Sequence, residues 1–531
     1  MPKHTLSYSE TGHFSKLICD YLAEDESLKQ FFGNFPNLKN FGGQLNEKKE
    51  SFNLASRTSL VKALQKQYKN IKTSEATGKN INLLSEANTF TITTGHQLNL
   101  FTGPLYFLYK IFSVINLSEK LKEAYPKNNF VPIYWMATED HDFDEINYFN
   151  LFGKKIAWNR QSSGAVGELS TEGLEDVLKV FEGALGSGDN AKKLNVLFAK
   201  AYTKHSNLTE ATRYLGNELF SDYGLVIVDG NDVTLKRVMI PFYEKEMLQN
   251  LSFKKVTETT QRLTSLGYPE QVHPREINLF YLIKGKRERI TEKDGSFFVN
   301  DNEISFSRDD MIAELNAHPE RFSPNALLRP LYQEVILPNL CYIGGGGELA
   351  YWFQLKDYFE CVEVPFPIIL LRNSVLLVPA VFSKKLAKFN VEMSSLFLPR
   401  HELEAAYTKQ ISEIPVDFSK QKEYLVQQFK ALHELAKQTD ASFSGAVAAQ
   451  EKKQLNGLRN LEKRLLKAQK RKFKDQLERL GLIQDELFPK QSLQERSVNF
   501  SQFYLDYGDR LLSELKENLD PLSQEFTILE L

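Results

Sequence analysis

The 531-residue chain carries 66 basic and 68 acidic side chains, a formal net charge of −2, which gives no global pull toward nucleic acid or an anionic membrane. With 42% apolar and 25% charged residues it has the make-up of a soluble globular protein, and its length exceeds one ordinary domain, so a large core with appended units is expected. Three cysteines, Cys19, Cys341 and Cys361, with no CxxC pair, argue against a disulfide framework or a thiolate metal cage and suit a reducing compartment.

The opening stretch MPKHTLSYSETGHFSKLICDYLAEDE has no uninterrupted apolar run and does not resemble a secretory signal, so a cytoplasmic protein is expected. Residues 1–85 read as helical, with Leu60, Leu64 and Tyr68 on one face and no strong strand signal, and are expected to pack on the core. A strand is predicted over Phe90 to Thr94 and a helix over Leu105 to Leu117, joined by a polar turn. In that turn Thr102 is the predicted N-cap, Gly103 permits close approach, and Pro104 suits the first helical turn. Four more apolar runs end in polar or glycine-rich tips: FVPIYWMATEDHD, GLVIVDGND, LCYIGGGGE and FPIILLRN. That recurrence predicts an α/β core over 86–382, a Rossmann-like parallel sheet whose strand ends converge on one crevice. Insertions are expected near 150–220 and 240–335, the second holding a hairpin with Asp294-Gly295 at a turn. The long apolar tract PFPIILLRNSVLLVPAVF is broken by Arg372, Asn373 and Ser374, so it reads as two strands and not as a membrane span.

From 383 to 531 the chain turns to long charged helix, expected to form an α-helical coiled-coil region with a C-terminal tail returning to the core. Leu425, Phe429, Leu432, Ala436, Thr439 and Phe443 alternate gaps of four and three, and Leu458, Leu461, Leu465 and Ala468 repeat the pattern before Phe473 shifts it. An antiparallel hairpin and a dimer seam both satisfy this spacing. The basic run Lys467, Lys470, Arg471, Lys472 and Lys474 suits a solvated helix face.

Three clusters can carry chemistry. His96, Gln97 and Asn99 can hydrogen-bond a ligand, and Thr102 with the helix after it can receive a phosphate or carboxylate. The Gly-His pair resembles the second half of the HxGH motif of class I nucleotidyl-transferring enzymes, with Thr93 where the first histidine would stand. Glu139, Asp140, His141, Asp142, Asp144 and Glu145 gather at the next strand end, able to bind a divalent metal, hold a base or grip an ammonium group; an acidic helix start is the plainer reading. If a helix runs from Asp140 to Glu145, Asp140 pairs with Asp144 and His141 with Glu145, so not all face one ligand. Arg329, Gln333 and Glu348 flank Gly344, Gly345, Gly346 and Gly347, whose backbone can approach a ligand closely. Asp229, Asn231 and Asp232 suit either a turn or a ribose or sugar hydroxyl.

Taken together, TTGHQLNLFTGPLYFLYK, VPIYWMATEDHDFDEIN and FSPNALLRPLYQEVILPNLCYIGGGGELAYW resemble signature segments of the cysteine-adding enzymes of bacillithiol biosynthesis, and the likeness runs from LSYSE to ERSVNFSQFYLDYG. One departure is GGGGE where a Gly-Gly-Pro-Gly-Glu version is expected. The resemblance implies a Rossmann-like core with two inserted connecting segments and a C-terminal coiled coil supporting a homodimer. It implies L-cysteine and glucosaminyl-malate as substrates, joined as an amide at the glucosamine nitrogen. Carried over by motif, the catalytic candidates are His96, Glu139, Asp140, His141 and Asp142; the binding candidates are Gln97, Asn99, Thr102, Asp229, Arg329, Gln333, Gly344 to Gly347 and Glu348. Because a free carboxylate is a poor acyl donor to an amine at neutral pH, ATP is the expected activator, with Mg2+ as its companion. Thr102 and His96 are expected to hold phosphate, backbone N–H groups to stabilise an oxyanion, and His141 or a nearby carboxylate to take the amine proton. The competing readings are a metal-dependent hydrolase built on EDHDFDE and a nucleotide-binding coiled-coil scaffold.

Overall fold

The structure, a computed structural model, describes residues 2–299 and 303–531. Two compact units emerge: residues up to Leu376 with Gln494–Leu529, and Leu377–Leu493 with Glu530–Leu531. The division falls just after residue 376, earlier than the expected 383, and the segment Gln494–Leu529 belongs to the first unit.

The first unit is built on five parallel strands, β1 (Thr89–His96), β2 (Asn129–Met136), β3 (Val226–Asp229), β4 (Asn339–Gly344) and β5 (Ile368–Leu371), in the order β5-β4-β1-β2-β3. Each is buried on both faces, which is why each reads as a continuous run of apolar and β-branched residues with no alternation. The threonines of β1 are reconciled with burial by partners on β4: Thr91 and Thr93 donate to Asn339 Oδ1 at 3.2 and 2.8 Å, and Thr94 to the Ile343 carbonyl at 2.7 Å. Since β1 lies between β2 and β4, the crossovers diverge there, and a crevice opens at the strands' carboxyl ends.

Four helices position that crevice: α1 (Leu54–Gln67), α2 (Tyr106–Ala124) after β1, α3 (Leu328–Ile336) before β4, and α4 (Gly346–Phe353) after it. Beneath them a buried pair, Lys48 Nζ to Glu334 Oε2 at 3.3 Å, is completed by Asn339 Nδ2 at 2.6 Å and Gln333 Nε2 at 2.9 Å on the other carboxylate oxygen. The 150–220 region carries a hairpin, Tyr148–Leu151 with Lys154–Ala157, and three helices. In the 240–335 region Asp294 and Gly295 both have positive φ, 52° and 80°, and turn Thr291–Lys293 into Ser296–Val299. That fits a two-residue hairpin turn; the rest of the expected hairpin crosses residues 300–302, outside the described residues. The N-terminal region holds a strand that its sequence did not signal: Lys3–Leu6 pairs antiparallel with the C-terminal strand, Lys3 opposite Leu529.

In the second unit α5 (Ser419–Ala436) and α6 (Ala441–Lys472) form a helical hairpin around Phe429, Ala436 and Val447. The basic run is an ion-paired surface, with Lys470 3.0 Å from Glu404 and Lys472 3.4 Å from Glu413. Among the described residues no helix is long and apolar enough to cross a membrane.

Candidate active site

Two adjoining cavities, of about 210 and 200 Å³, lie at the ends of β1, β2 and β4 and share the walls Trp135, Ala137, Arg329 and Tyr351. His96, Gln97, Lys110 and Glu348 line the first; Glu139, Asp140, Arg287 and Asn325 line the second.

At the first cavity Lys110, brought in by α2, is almost completely buried and meets Glu348 Oε1 at 2.5 Å and the Gly95 carbonyl at 2.6 Å. Glu348 also accepts from Tyr342 Oη at 2.6 Å and from the Gly345 N–H at 3.3 Å, so it closes the first turn of α4 onto its N-cap. Burial works to raise the Glu348 carboxyl, but Lys110 and these hydrogen bonds prevail and hold it below its ordinary range. His96 ends β1 with its ring against Phe107 and edge-on to Tyr106, and its Nε2 has no hydrogen-bond partner. Burial, with Lys110 and Arg372 nearby, pushes His96 well below the usual histidine range and keeps it neutral, while the Thr102 backbone carbonyl opposes the shift.

At the second cavity Glu139 pairs with the buried Lys236 at 2.6 Å. Asp140 accepts from Gln97 Nε2 at 2.8 Å and from the His141 N–H at 2.7 Å. Burial would raise the Asp140 carboxyl, yet these hydrogen bonds and the Arg287 charge hold it well below the usual carboxylate range. Arg287 stacks on Phe280, 4.0 Å from the ring centroid, and donates to the Pro324 carbonyl at 2.8 Å and to His141 Nδ1 at 3.1 Å. Arg329, in the shared wall, donates to Gln333 Oε1 at 3.0 Å and Tyr351 Oη at 3.3 Å.

Several expected site residues stand elsewhere. Thr102 is not an N-cap: α2 starts at Tyr106 with Leu105 as its cap, and Thr102 closes a short turn with its hydroxyl buried and unpartnered. The N–H groups of Leu105, Phe107 and Leu108 already bond to Val498, Pro104 and Leu105 carbonyls, so the phosphate role expected for this helix start is not available to them. Asn99 is buried and donates to the Glu145 carbonyl at 3.2 Å. Gln333 is fully buried behind Arg329, which it holds. The acidic cluster forms no helix from Asp140; only Phe143–Ile146 is helical, capped by Asp142, because Asp140 is drawn to Gln97 and Glu139 to Lys236. His141 and Asp142 line a separate outer cavity with Arg160. Among the described residues no three His, Cys, Asp or Glu side chains converge as a metal site. Asp229, beside Lys66 and Arg213, opens on another cavity and accepts from Thr138 Oγ1 and the Asn231 N–H, as in an Asx turn. Of the glycine run, Gly344 ends β4, where an added Cβ would meet Tyr342, Glu348 and Leu349 within 3.0 Å, Gly345 caps α4, and Gly346 and Gly347 open it.

The model described as "Bacillithiol biosynthesis BshC, N-terminal Rossmann-like domain" matches residues 1–373, and "Bacillithiol biosynthesis BshC, C-terminal coiled-coil domain" matches 375–531. The chain belongs to the BshC family. It is 56% identical to a protein of Christiangramia forsetii, covering 100% of this chain and 99% of that one, and 55% identical to one of Flavobacterium johnsoniae, covering 100% of both. A Cytophaga hutchinsonii relative is 36% identical over 97% of this chain and 96% of its own. All three carry the name "Putative cysteine ligase BshC".

In this BshC chain the side chains that sequence reasoning missed are Lys110, Tyr342, Tyr351, Arg287 and Lys236. Lys110 had a signal: it is the one charge in the run LYFLYKIF, where a helix otherwise turns only apolar and aromatic residues inward. Arg287 had none, because KGKRER reads as a solvated turn until Phe280 and Pro324 are seen to receive it.

Proposed function

We propose that this chain is an amide-forming ligase that adds L-cysteine to the glucosamine amine of glucosaminyl-malate, the last step of bacillithiol biosynthesis, through a cysteine carboxylate activated by ATP. The observation that carries the reading is the pair of cavities with one common wall. Condensation of two substrates needs two adjoining seats, and the bond must form where they meet. Arg329 stands there with neutral hydrogen-bond partners, so its charge is free to meet an acyl carboxylate or a phosphate oxygen.

In this reading the first cavity takes the acyl side and the second takes the amine. Asp140, held ionised, and Glu139 attract the amine; as its nitrogen bonds to the acyl carbon and the phosphate-bearing oxygen leaves, one of these carboxylates receives the proton. His141 is less suited, since its Nδ1 lone pair is taken by Arg287 and the residue lines the outer cavity. ATP supplies the activation that a bare carboxylate lacks. Mg2+, as companion of the phosphates, needs one or two protein carboxylates. Asp140 and Glu145, both bound to Gln97 Nε2 at 2.8 Å, are the neighbouring carboxylates that would hold it. Exposed Tyr424, Leu432, Leu435 and Leu461 on the helical hairpin support pairing of two copies through that unit.

The test is mass spectrometry of the purified chain with cysteine, glucosaminyl-malate, ATP and magnesium, following thiol product and nucleotide together. Product with matching AMP or ADP is expected. Substrates that bind without yielding product would refute the reading.

A further inference from the structure

Four deeply buried cations of the first unit are answered by carboxylates: Lys48 by Glu334, Lys110 by Glu348, Lys236 by Glu139 and Arg372 by Glu495. Arg213 departs from that pattern and lines a cavity. It stands on the helix Leu208–Phe220, is only 5% exposed, and among the described residues has no carboxylate within 4.0 Å. Its hydrogen bonds go to one neutral residue: Nη1 donates to the Gln67 carbonyl at 3.4 Å and Nη2 to Gln67 Oε1 at 2.9 Å. A buried charge without a counter-charge is unfavourable, and a guanidinium fork held in place is already shaped for a carboxylate or a phosphate.

The cavity, of about 510 Å³, lies at the end of β3. Lys204 lines it as well, exposed and, among the described residues, with no carboxylate within 4.0 Å. Three carboxylates share the lining, and none answers these two cations. Asp232 pairs with Lys66 at 3.3 Å, Glu210 accepts from the N–H and Oγ of Ser206 at 3.2 and 3.0 Å, and Asp229 accepts from Thr138 Oγ1 and the Asn231 N–H. The charges on these walls are thus balanced in number but not paired in space. A ligand that carries an anionic group and hydroxyl donors bridges such a set, each of its groups meeting the opposite partner. The walls hold no Phe, Tyr or Trp on which a nucleobase could stack. We propose that this cavity is a binding site for a small hydroxylated anion, its carboxylate or phosphate received by Arg213 and Lys204 and its hydroxyl groups by Asp229 and Glu210. The site adjoins the crevice through Gln67. Besides holding Arg213, Gln67 Oε1 accepts from the Asp229 N–H at 3.0 Å and Nε2 donates to the Asp229 carbonyl at 2.9 Å, so the amide stands in for a neighbouring strand on the free edge of β3. Asp229 in turn holds Thr138, a wall of the second crevice cavity. The site does not depend on the ligase reading.

The experiment is nitrogen NMR of the full chain labelled with 15N-histidine, read at His205, whose signals are assigned by their loss in His205→Gln. His205 lines the cavity, and its ring is fixed by Nδ1 against the Lys200 and Ala201 carbonyls at 3.0 Å each, so its signals report what enters there. Inorganic phosphate and glycolate are titrated separately at constant pH and ionic strength, with chloride as the control anion. A saturable shift in the millimolar range is expected. Saturation by phosphate alone assigns the anionic group to a phosphate, by glycolate alone to a carboxylate, and by both to either source. Lys204→Ala, a change at an exposed position, is expected to weaken binding about fivefold, and Arg213→Gln about tenfold or more. Arg329→Met, in the crevice, is expected to leave the titration unchanged. Should Arg213→Gln not fold, Lys204→Ala decides. His205 signals that neither anion moves, that chloride moves equally, or whose midpoint the folded variants of Lys204 and Arg213 leave unchanged would overturn the proposal. Anion binding here without ligase product would refute the ligase reading and leave this site standing.

Discussion

Replacing Glu348 by Gln is expected to destabilise the first unit more than replacing its partner Lys110 by Met, although both changes break the same 2.5 Å pair. The asymmetry follows from exposure: the Lys110 side chain is 3% exposed and that of Glu348 27%. In Glu348→Gln a buried ammonium keeps the Gly95 carbonyl and a neutral amide oxygen as acceptors but loses its counter-charge, and leaving a buried charge uncompensated in this way costs about 3–5 kcal/mol. In Lys110→Met the carboxylate keeps Tyr342 Oη, the Gly345 N–H and some water, which places the cost nearer about 1–3 kcal/mol. The double variant removes the stranded charge and is expected to be more stable than Glu348→Gln alone, a coupling of about 1 kcal/mol or more. Urea unfolding at pH 7 followed by tryptophan fluorescence isolates the right unit, because Trp135, Trp158 and Trp352 all lie within it and are buried. Additivity within about 0.5 kcal/mol, or a Glu348→Gln cost below about 1 kcal/mol, would refute the argument that this pair is coupled.

Gly346 stands at the first position of α4, where proline loses no intrahelical hydrogen bond, so Gly346→Pro is expected to raise stability by about 0.4–1 kcal/mol in the same unfolding assay; a loss would show that Ile18, whose Cγ1 lies 3.3 Å from a Cβ placed there, does not give way to the ring. For Asp140 the native carboxyl titrates below its unfolded value, so its contribution is complete above the unfolded value of about 4 and fades as pH falls through the native one. The stability difference between wild type and Asp140→Asn is therefore expected to be flat from about pH 5 to 7 and to shrink on further acidification, and a difference that grows in acid would contradict the hydrogen-bond account of Asp140.

The strands were legible because their signal is local: both faces of each are buried, so every residue along FTITT or FPIILL reports the same environment. So was the convergence of polar tips, since the carboxyl end of a parallel strand is where the apolar run stops. The failures have non-local causes. Thr102, Gly103 and Pro104 carry the composition of a helix start, but Asn499, 398 residues from Phe101, holds that turn and delays the helix to Tyr106. Lys3–Leu6 is only four residues long and mostly exposed, and it becomes a strand because its partner arrives at the other end of the chain. The acidic cluster was legible as a cluster and not as a geometry. Which carboxylate faces which cavity was decided by Lys236, Gln97 and Arg287, from three other elements.

These long-range partners share a physical logic. The crevice is ringed by buried ion pairs, Lys110 with Glu348, Lys236 with Glu139, and Arg372 with Glu495, each joining two elements that are distant in sequence. Desolvating six charges does little for net stability, since Coulomb attraction in a buried pair roughly repays the loss of water. What the pairs do supply is fixed dipoles that need not reorganise when charge develops on a ligand. The Gly344 carbonyl illustrates it: Arg372 donates its N–H to that carbonyl, Glu495 anchors the Arg372 guanidinium at 2.8 Å, and Glu348 fixes the next residue through the Gly345 N–H. The turn that opens α4 is thus held from β5, from the C-terminal segment and from its own helix. A residue such as Glu495 acts on the crevice through the positions of others: its loss strands the buried Arg372 guanidinium and with it loosens the hold on Gly344, so lost stability and a misplaced turn are expected together.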